Sequence, residues 1–366
     1  MTSRERVFKA INHQEPDRVP MDFFGTDEVK EKLRTHFGLP PVRVPNNQTV
    51  RFVNPALLDR LQTDFRFVIP EYSGPSLKKF DDGSYIDIFS CRRVSVANQA
   101  GSYEEVLDPP LAHAMTVEDV DAHPWPDPEW FDFSTIKEQC DEFEDKAIVI
   151  GSWGTVDFIN ISSRLRGMEQ VLLDIGMKNP VIFRIFDRLS EFFYQYMSRF
   201  YDICPEKYII AFYGDDYGTQ RGPTISPQTF REIFMPRWKR HFELAHKHNL
   251  KVMLHSCGST RMLMPDFIKA GIDILETVQP EAAGMNPQEL KQEFGDKLCF
   301  HGMISVQQVL PYASPNEVKE VVRERISVMK KRGGYILAPT HNIQPDTPVE
   351  NIIALYEAGL EYGKYN

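Results

Sequence analysis

From about residue 147 to its C-terminus the chain alternates short apolar runs with longer amphipathic stretches, and this repeat constrains the fold more than any other feature. Such a repeat builds parallel strands joined by helices, because a chain returning to the same strand direction needs a long crossover. The strand candidates are KAIVIGSWG, KYIIAFYGDD, LKVMLHSC, IDILETVQP, KLCFHGMIS and GGYILAPTH. Between them, SPQTFREIFMPRWKRHFELAHKHN keeps Phe230, Phe234, Trp238, Phe242 and Leu244 near a helical period, and NEVKEVVRERISVMKKR ends in bases before a Gly-Gly stop. The expected fold class is α/β, a (β/α)8 TIM-type barrel. Six strands come from these units, and the earlier segments FRFVIP and VPMDFF are available to complete or plug it.

Residues 1–145 are organised differently, with Pro-rich turns (PPVRVP, DPPL, HPWPDP) and an alternating YIDIFSCRRVSV that reads as a β-hairpin or edge strand. We expect one domain over residues 1–366, in which residues 1–145 form a helical and hairpin extension capping the barrel mouth and residues 146–366 form the barrel core. A hydrophobic content of 42% is enough to fill it. The five cysteines are scattered without framework spacing, which suits a reduced intracellular protein. A formal charge of −10 argues against a nucleic-acid partner. Charges interrupt the most apolar stretches, and the opening MTSRERVFKAINHQEPDR lacks an apolar signal region, so no membrane association and a cytoplasmic location are expected.

Polar residues collect at the C-terminal ends of the strand candidates: Trp153 and Asp157, Tyr213, Asp215 and Asp216, His255 and Cys257, Glu276 and Gln279, His301, then His341 and Asn342. In a (β/α)8 barrel that face carries the active site. If the strand runs through His255 and Cys257, both point to one side, about 6 to 7 Å apart along the backbone. A thiolate with an imidazole suits Zn²⁺, although an isolated His-x-Cys is more often a core histidine beside an inert cysteine. His341, following YILAP and preceding Pro345, is the third-ligand candidate. Asp216 and Glu276 are candidates for a fourth ligand or for carboxylates fixing a histidine tautomer, with ordinary hydrogen bonding as the alternative. Arg221 reads either as an anion-binding residue or as a partner of Asp215. His246 and His248, two apart on a helix, and the aromatic run at 192–201 read as solvated surface and helix core.

Together these residues resemble the uroporphyrinogen decarboxylase superfamily, and within it the zinc-dependent methyltransferases that work with corrinoid proteins. The resemblance lies in SRERVFKAINHQEPDRVP, in DDYG through ISPQTFREIFMPRWKR, in HSCG, and in GGYILAPTHNIQPDTPVENI. Where the decarboxylases carry a basic RQAGR-like segment, this chain has the acidic PMDFFGTDE. Where the thiol methyltransferases have a later cysteine, it has His341. The resemblance implies Zn²⁺ on His255, Cys257 and His341, with Glu276 beside them, and a cobalamin held by a cognate corrinoid protein. It further implies a small methyl donor or acceptor (ether, amine or thiol), with demethylation favoured by the stronger Lewis acid that a His-for-Cys exchange makes. Tyr213, Asp216 or His301 would then protonate the leaving group, and Trp153, Asp157, Arg221, Gln279 and Asn342 would contact substrate. The alternatives are a metal-independent decarboxylase centred on Asp216 and a non-catalytic corrinoid- or tetrapyrrole-binding protein.

Overall fold

The computed structural model describes residues 1–47, 52–97 and 102–365. One parallel sheet runs β1 (Phe65–Phe67), β2 (Ala147–Val156), β3 (Tyr208–Gly214), β4 (Lys251–His255), β5 (Ile274–Val278), β6 (Cys299–Ile304) and β7 (Tyr335–Pro339), in chain order. All six strands expected after residue 146 are present, and FRFVIP supplies the first of the seven.

The sheet closes through VPMDFF. On one edge the Asp22 amide donates to Leu337 O and the Leu337 amide to Pro20 O, at 3.0 and 2.9 Å; on the other the Asp64 amide donates to Met21 O at 2.9 Å. These few bonds make Pro20–Asp22 the eighth stave, so an open sheet edge is avoided. The Asp64 carboxylate sits at the seam, fully buried, accepting from the Met21 amide and paired with Arg6 and Arg18.

Strand alternation sends Phe65, Val149, Ile210, Phe212, Met253, Ile274, Cys299 and Ile336 into the barrel, where they form a cluster separate from the sheet-to-helix core. Val7 and Ile11 of the helix Ser3–Ile11 join it. That helix bonds to the entry ends of the strands, the Arg4 amide to Asp145 O and the Gly334 amide to Ala10 O, and plugs the barrel floor.

The outer layer follows the expected helices. Phe192, Phe193, Tyr196, Met197, Phe200 and Tyr201 are buried in the helix Pro180–Tyr201, so the aromatic run is core. Phe230, Phe234, Trp238 and Phe242 are likewise buried, but the chain passes through a π-type turn at Phe230–Phe234 before the helix Met235–Lys247. Pro236, which lacks an N–H and crowds the preceding turn, accounts for the widening. His246 bonds Asp273 at 2.9 Å, and His248 stacks on Tyr201.

Tyr85–Ile86, Arg92–Ala97 and Ser102–Asp108 form a three-stranded antiparallel sheet, the expected hairpin enlarged by one strand. Arg93, Ser102, Tyr103 and Glu104 from it line a cleft that reaches His341 and Asn342. Among the described residues no helix is long and apolar enough to cross a membrane.

Candidate metal centre

Gly214, His255 and Glu276 are register partners on β3, β4 and β5. His255 lies two residues after the inward-facing Met253 and therefore also points into the barrel. The strand stops at His255, and Cys257 belongs to the loop beyond it. Its Sγ nevertheless lies 3.3 Å from His255 Nε2, because the loop after β3 holds this turn in place.

That loop is zipped to the next. The Asp215 amide donates to His255 O at 3.1 Å, the Tyr217 amide to Ser256 Oγ at 3.0 Å, the Cys257 amide to Asp216 Oδ1 at 2.9 Å, and the Ser259 amide to Thr219 O at 2.8 Å. The two backbones touch at Gly218 and Gly258. A Cβ on Gly218 would meet Cys257 O at 2.4 Å, and Gly258, at φ +79°, would bring one within 2.7 Å of Gly218. Only glycine satisfies both requirements.

Ligand atoms of His255, Cys257 and His341 all lie within 4.8 Å of one another. Tetrahedral zinc with bonds of about 2.0 to 2.3 Å requires donors separated by roughly 3.3 to 3.7 Å, so the existing His255–Cys257 approach fits. Glu276 Oε2 hydrogen-bonds His255 Nδ1. This leaves Nε2 facing Cys257 and puts the carboxylate behind the imidazole, where it fixes the tautomer. The Glu276–Thr277 peptide is cis.

Burial opposes the charged form of His255, but Glu276, Cys257 and Asp216 overcome it and hold the imidazole well above its ordinary pKa. Burial also raises the Cys257 thiol, against the pull of His255. For Glu276 and Asp216 burial is outweighed by His255, and both carboxylates titrate lower than usual. Asp216 Oδ1 lies 3.5 Å from His255 Nε2, and its Oδ2 accepts from Asn160 at 3.1 Å.

The other expected site residues divide into two groups. Gln279 accepts from the Gly258 amide at 2.6 Å, and Asn342 borders the same cavity as Cys257 and His341. Asp157 caps the helix Phe158–Arg166, from a backbone with φ +76° at Val156 and +23° at itself. Burial, opposed by Arg164 and aided by the charge of Asp216, pushes it up to about 6, and burial with the charge of Asp157 pushes Asp215 well above its usual range.

Three residues are not brought to the trio. Tyr213 has the opposite strand parity and faces the helices, its hydroxyl 3.2 Å from that of Tyr201. Arg221 is exposed and forms no ion pair with Asp215, which instead accepts from the Ile159 amide at 3.0 Å. His301 points inward but lies inside the barrel, fully buried, bonded to Asp22 at 3.1 Å and packed against Phe24 and Phe65. Trp153 lies in the same aromatic neighbourhood, 5.7 Å from Phe24 and 6.5 Å from Phe212.

Asp22, Asn160, Gly218 and Gly258 went unread in the sequence. A charged residue inside the apolar VPMDFF was the visible signal for Asp22. The other three act through contacts between loops distant in sequence.

A barrel with His255, Cys257 and His341 gathered at its strand ends holds three side chains that could bind a metal ion. The family profile described as uroporphyrinogen decarboxylase (URO-D) matches residues 103–362, and the chain belongs to that family. Its relatives include the Methylcobamide:CoM methyltransferase MtaA of Methanosarcina barkeri, 31% identical over 138 residues, which is 38% of each chain. A methylated-thiol–coenzyme M methyltransferase of Methanosarcina mazei is 28% identical over 37% of this chain and 34% of its own. A uroporphyrinogen decarboxylase of Magnetococcus marinus is 25% identical over 39% of each. The matched region is thus well under half the length of these relatives. A solved methyltransferase from Methanosarcina mazei superposes with a TM-score of 0.65, covering 99% of both chains at 18% identity, which shows a shared fold.

Proposed function

We propose that this protein is a zinc-dependent methyltransferase that moves a methyl group between a small substrate and a corrinoid carried by a partner protein. The observation carrying this is the convergence of His255, Cys257 and His341 within 4.8 Å at the barrel mouth, with Glu276 bonded behind His255. The likeness to corrinoid-linked methyltransferases supports the same reading.

Bound to the trio, zinc supplies Lewis acidity that lowers the pKa of a coordinated heteroatom. The chain's own groups do the rest. Glu276 holds the His255 tautomer. Asp216 fixes the Cys257 amide and stands 3.5 Å from His255 Nε2. Demethylation would instead ask for a proton donor at the mouth. Tyr213 and His301, the donors that step would call on, lie elsewhere. We therefore assign delivery of the methyl group to a protic acceptor as the forward direction. The cleft of about 980 Å³ that reaches His341 from the N-terminal extension offers the corrinoid's approach, and it meets the cavity beside Cys257 at His341, Asn342 and Gln344.

The test is metal content and transfer. Protein purified from zinc-supplemented culture should carry about one zinc per chain, lost in His255→Ala, Cys257→Ala and His341→Ala. Methylated corrinoid protein mixed with a small thiol should show the cobalt spectrum of demethylation only with zinc-loaded protein. Zinc-free, fully folded wild type would sink the proposal and favour a decarboxylase built on Asp216.

A further inference from the structure

Beside Cys257 and His341 lies a chamber of about 350 Å³, walled by the loops that follow β3 to β7. Its polar lining is Thr219, Gln220, Gln279, Gln307, Asn342 and Gln344. Apart from the two metal-ligating residues, every described side chain lining it is uncharged. Asn342, 6% exposed, borders the chamber next to His341, and its buried Oδ1 has no hydrogen-bond partner within the protein.

The local charge also matters. An acidic substituent entering the chamber would exchange its hydration for amide dipoles, with no cationic side chain among the other described lining residues to pair with it. A neutral hydroxyl or amide exchanges water for carboxamide partners at little cost.

Building on the proposed function, we infer that the acceptor is a small uncharged thiol bearing a hydroxyl or amide donor, and that thiols with a sulfonate or carboxylate are selected against. The chamber wall, through Asn342 and Gln307, is the specificity element.

The test uses Co²⁺-loaded protein, whose thiolate-to-cobalt absorption reports the metal–sulfur bond that forms as the S–H proton leaves to water. Titrated side by side, 2-mercaptoethanol and 2-mercaptoethanesulfonate present the same reach and differ in the terminal group. The neutral thiol should bind at least about tenfold more tightly, a difference of ~1.4 kcal/mol. Gln307→Lys, at an exposed lining position, should shift the ratio toward the sulfonate by a similar factor. Equal or tighter binding of the sulfonate by wild type overturns this inference alone, and an unchanged ratio in Gln307→Lys counts equally against it. Failure to take up cobalt overturns the metal reading and this one with it.

Discussion

At the scale of single residues, the site is an arrangement of protons waiting to be displaced. His255 and Cys257 both titrate above their ordinary values, so a metal must expel a proton from each. Metal affinity should therefore rise with pH through the neutral range, by up to about 100-fold per unit where both protons are released. Zinc competition titrations from pH 6 to 9 measure this, and a flat profile would contradict it. Glu276→Gln keeps the shape but removes the negative charge behind His255, so metal affinity should fall about 10- to 100-fold with the fold intact. Asp157 contributes in the opposite sense. Its folded-state pKa is raised to about 6, so its stabilising contribution is complete below the ordinary carboxylate range and lost as pH climbs through 6. Asp157→Asn, which retains the helix cap, should gain on the order of 1 to 3 kcal/mol relative to wild type at pH 8 and little at pH 4. Calorimetry at the two pH values checks the sign.

At the scale of elements, loop contacts rather than strands determine where Cys257 sits. Strand geometry alone puts His255 and Cys257 on one side, but the strand ends first, and the DDYGT loop restores their proximity through Gly218 and Gly258. Gly258→Ala should weaken metal retention at least about tenfold while Tm falls modestly, since both the φ and the contact with Gly218 must give. Equal metal content in the alanine variant would show that the loop contact is dispensable. The floor helix Ser3–Ile11 is independent of this loop. Ile11→Ala, which empties part of the barrel interior, should cost about 2 to 5 kcal/mol and leave metal binding unchanged.

At the scale of the whole molecule, closure rests on a short seam. Asp64, buried and paired with Arg6 and Arg18, joins the floor helix, the eighth stave and β1. Asp64→Ala leaves both guanidiniums without their buried partner and should lower stability by about 3 to 5 kcal/mol in urea titrations. The sequence by itself determined the strands from residue 146 onward, the helix faces, and the candidacy of His255, Cys257 and His341, because period and residue type are local properties. It left VPMDFF as either stave or plug, since a segment held by so few backbone bonds carries no strand pattern. Tertiary structure alone decided that Tyr213 faces the helices and that His301 sits within the barrel, because one residue of strand parity or one layer of depth separates a mouth position from a core one. It likewise decided that Glu276 stands behind His255 and that carboxamides wall the chamber beside Cys257. Both arise from loops and strands adjacent in the barrel but far apart in the chain, and no local pattern encodes that adjacency.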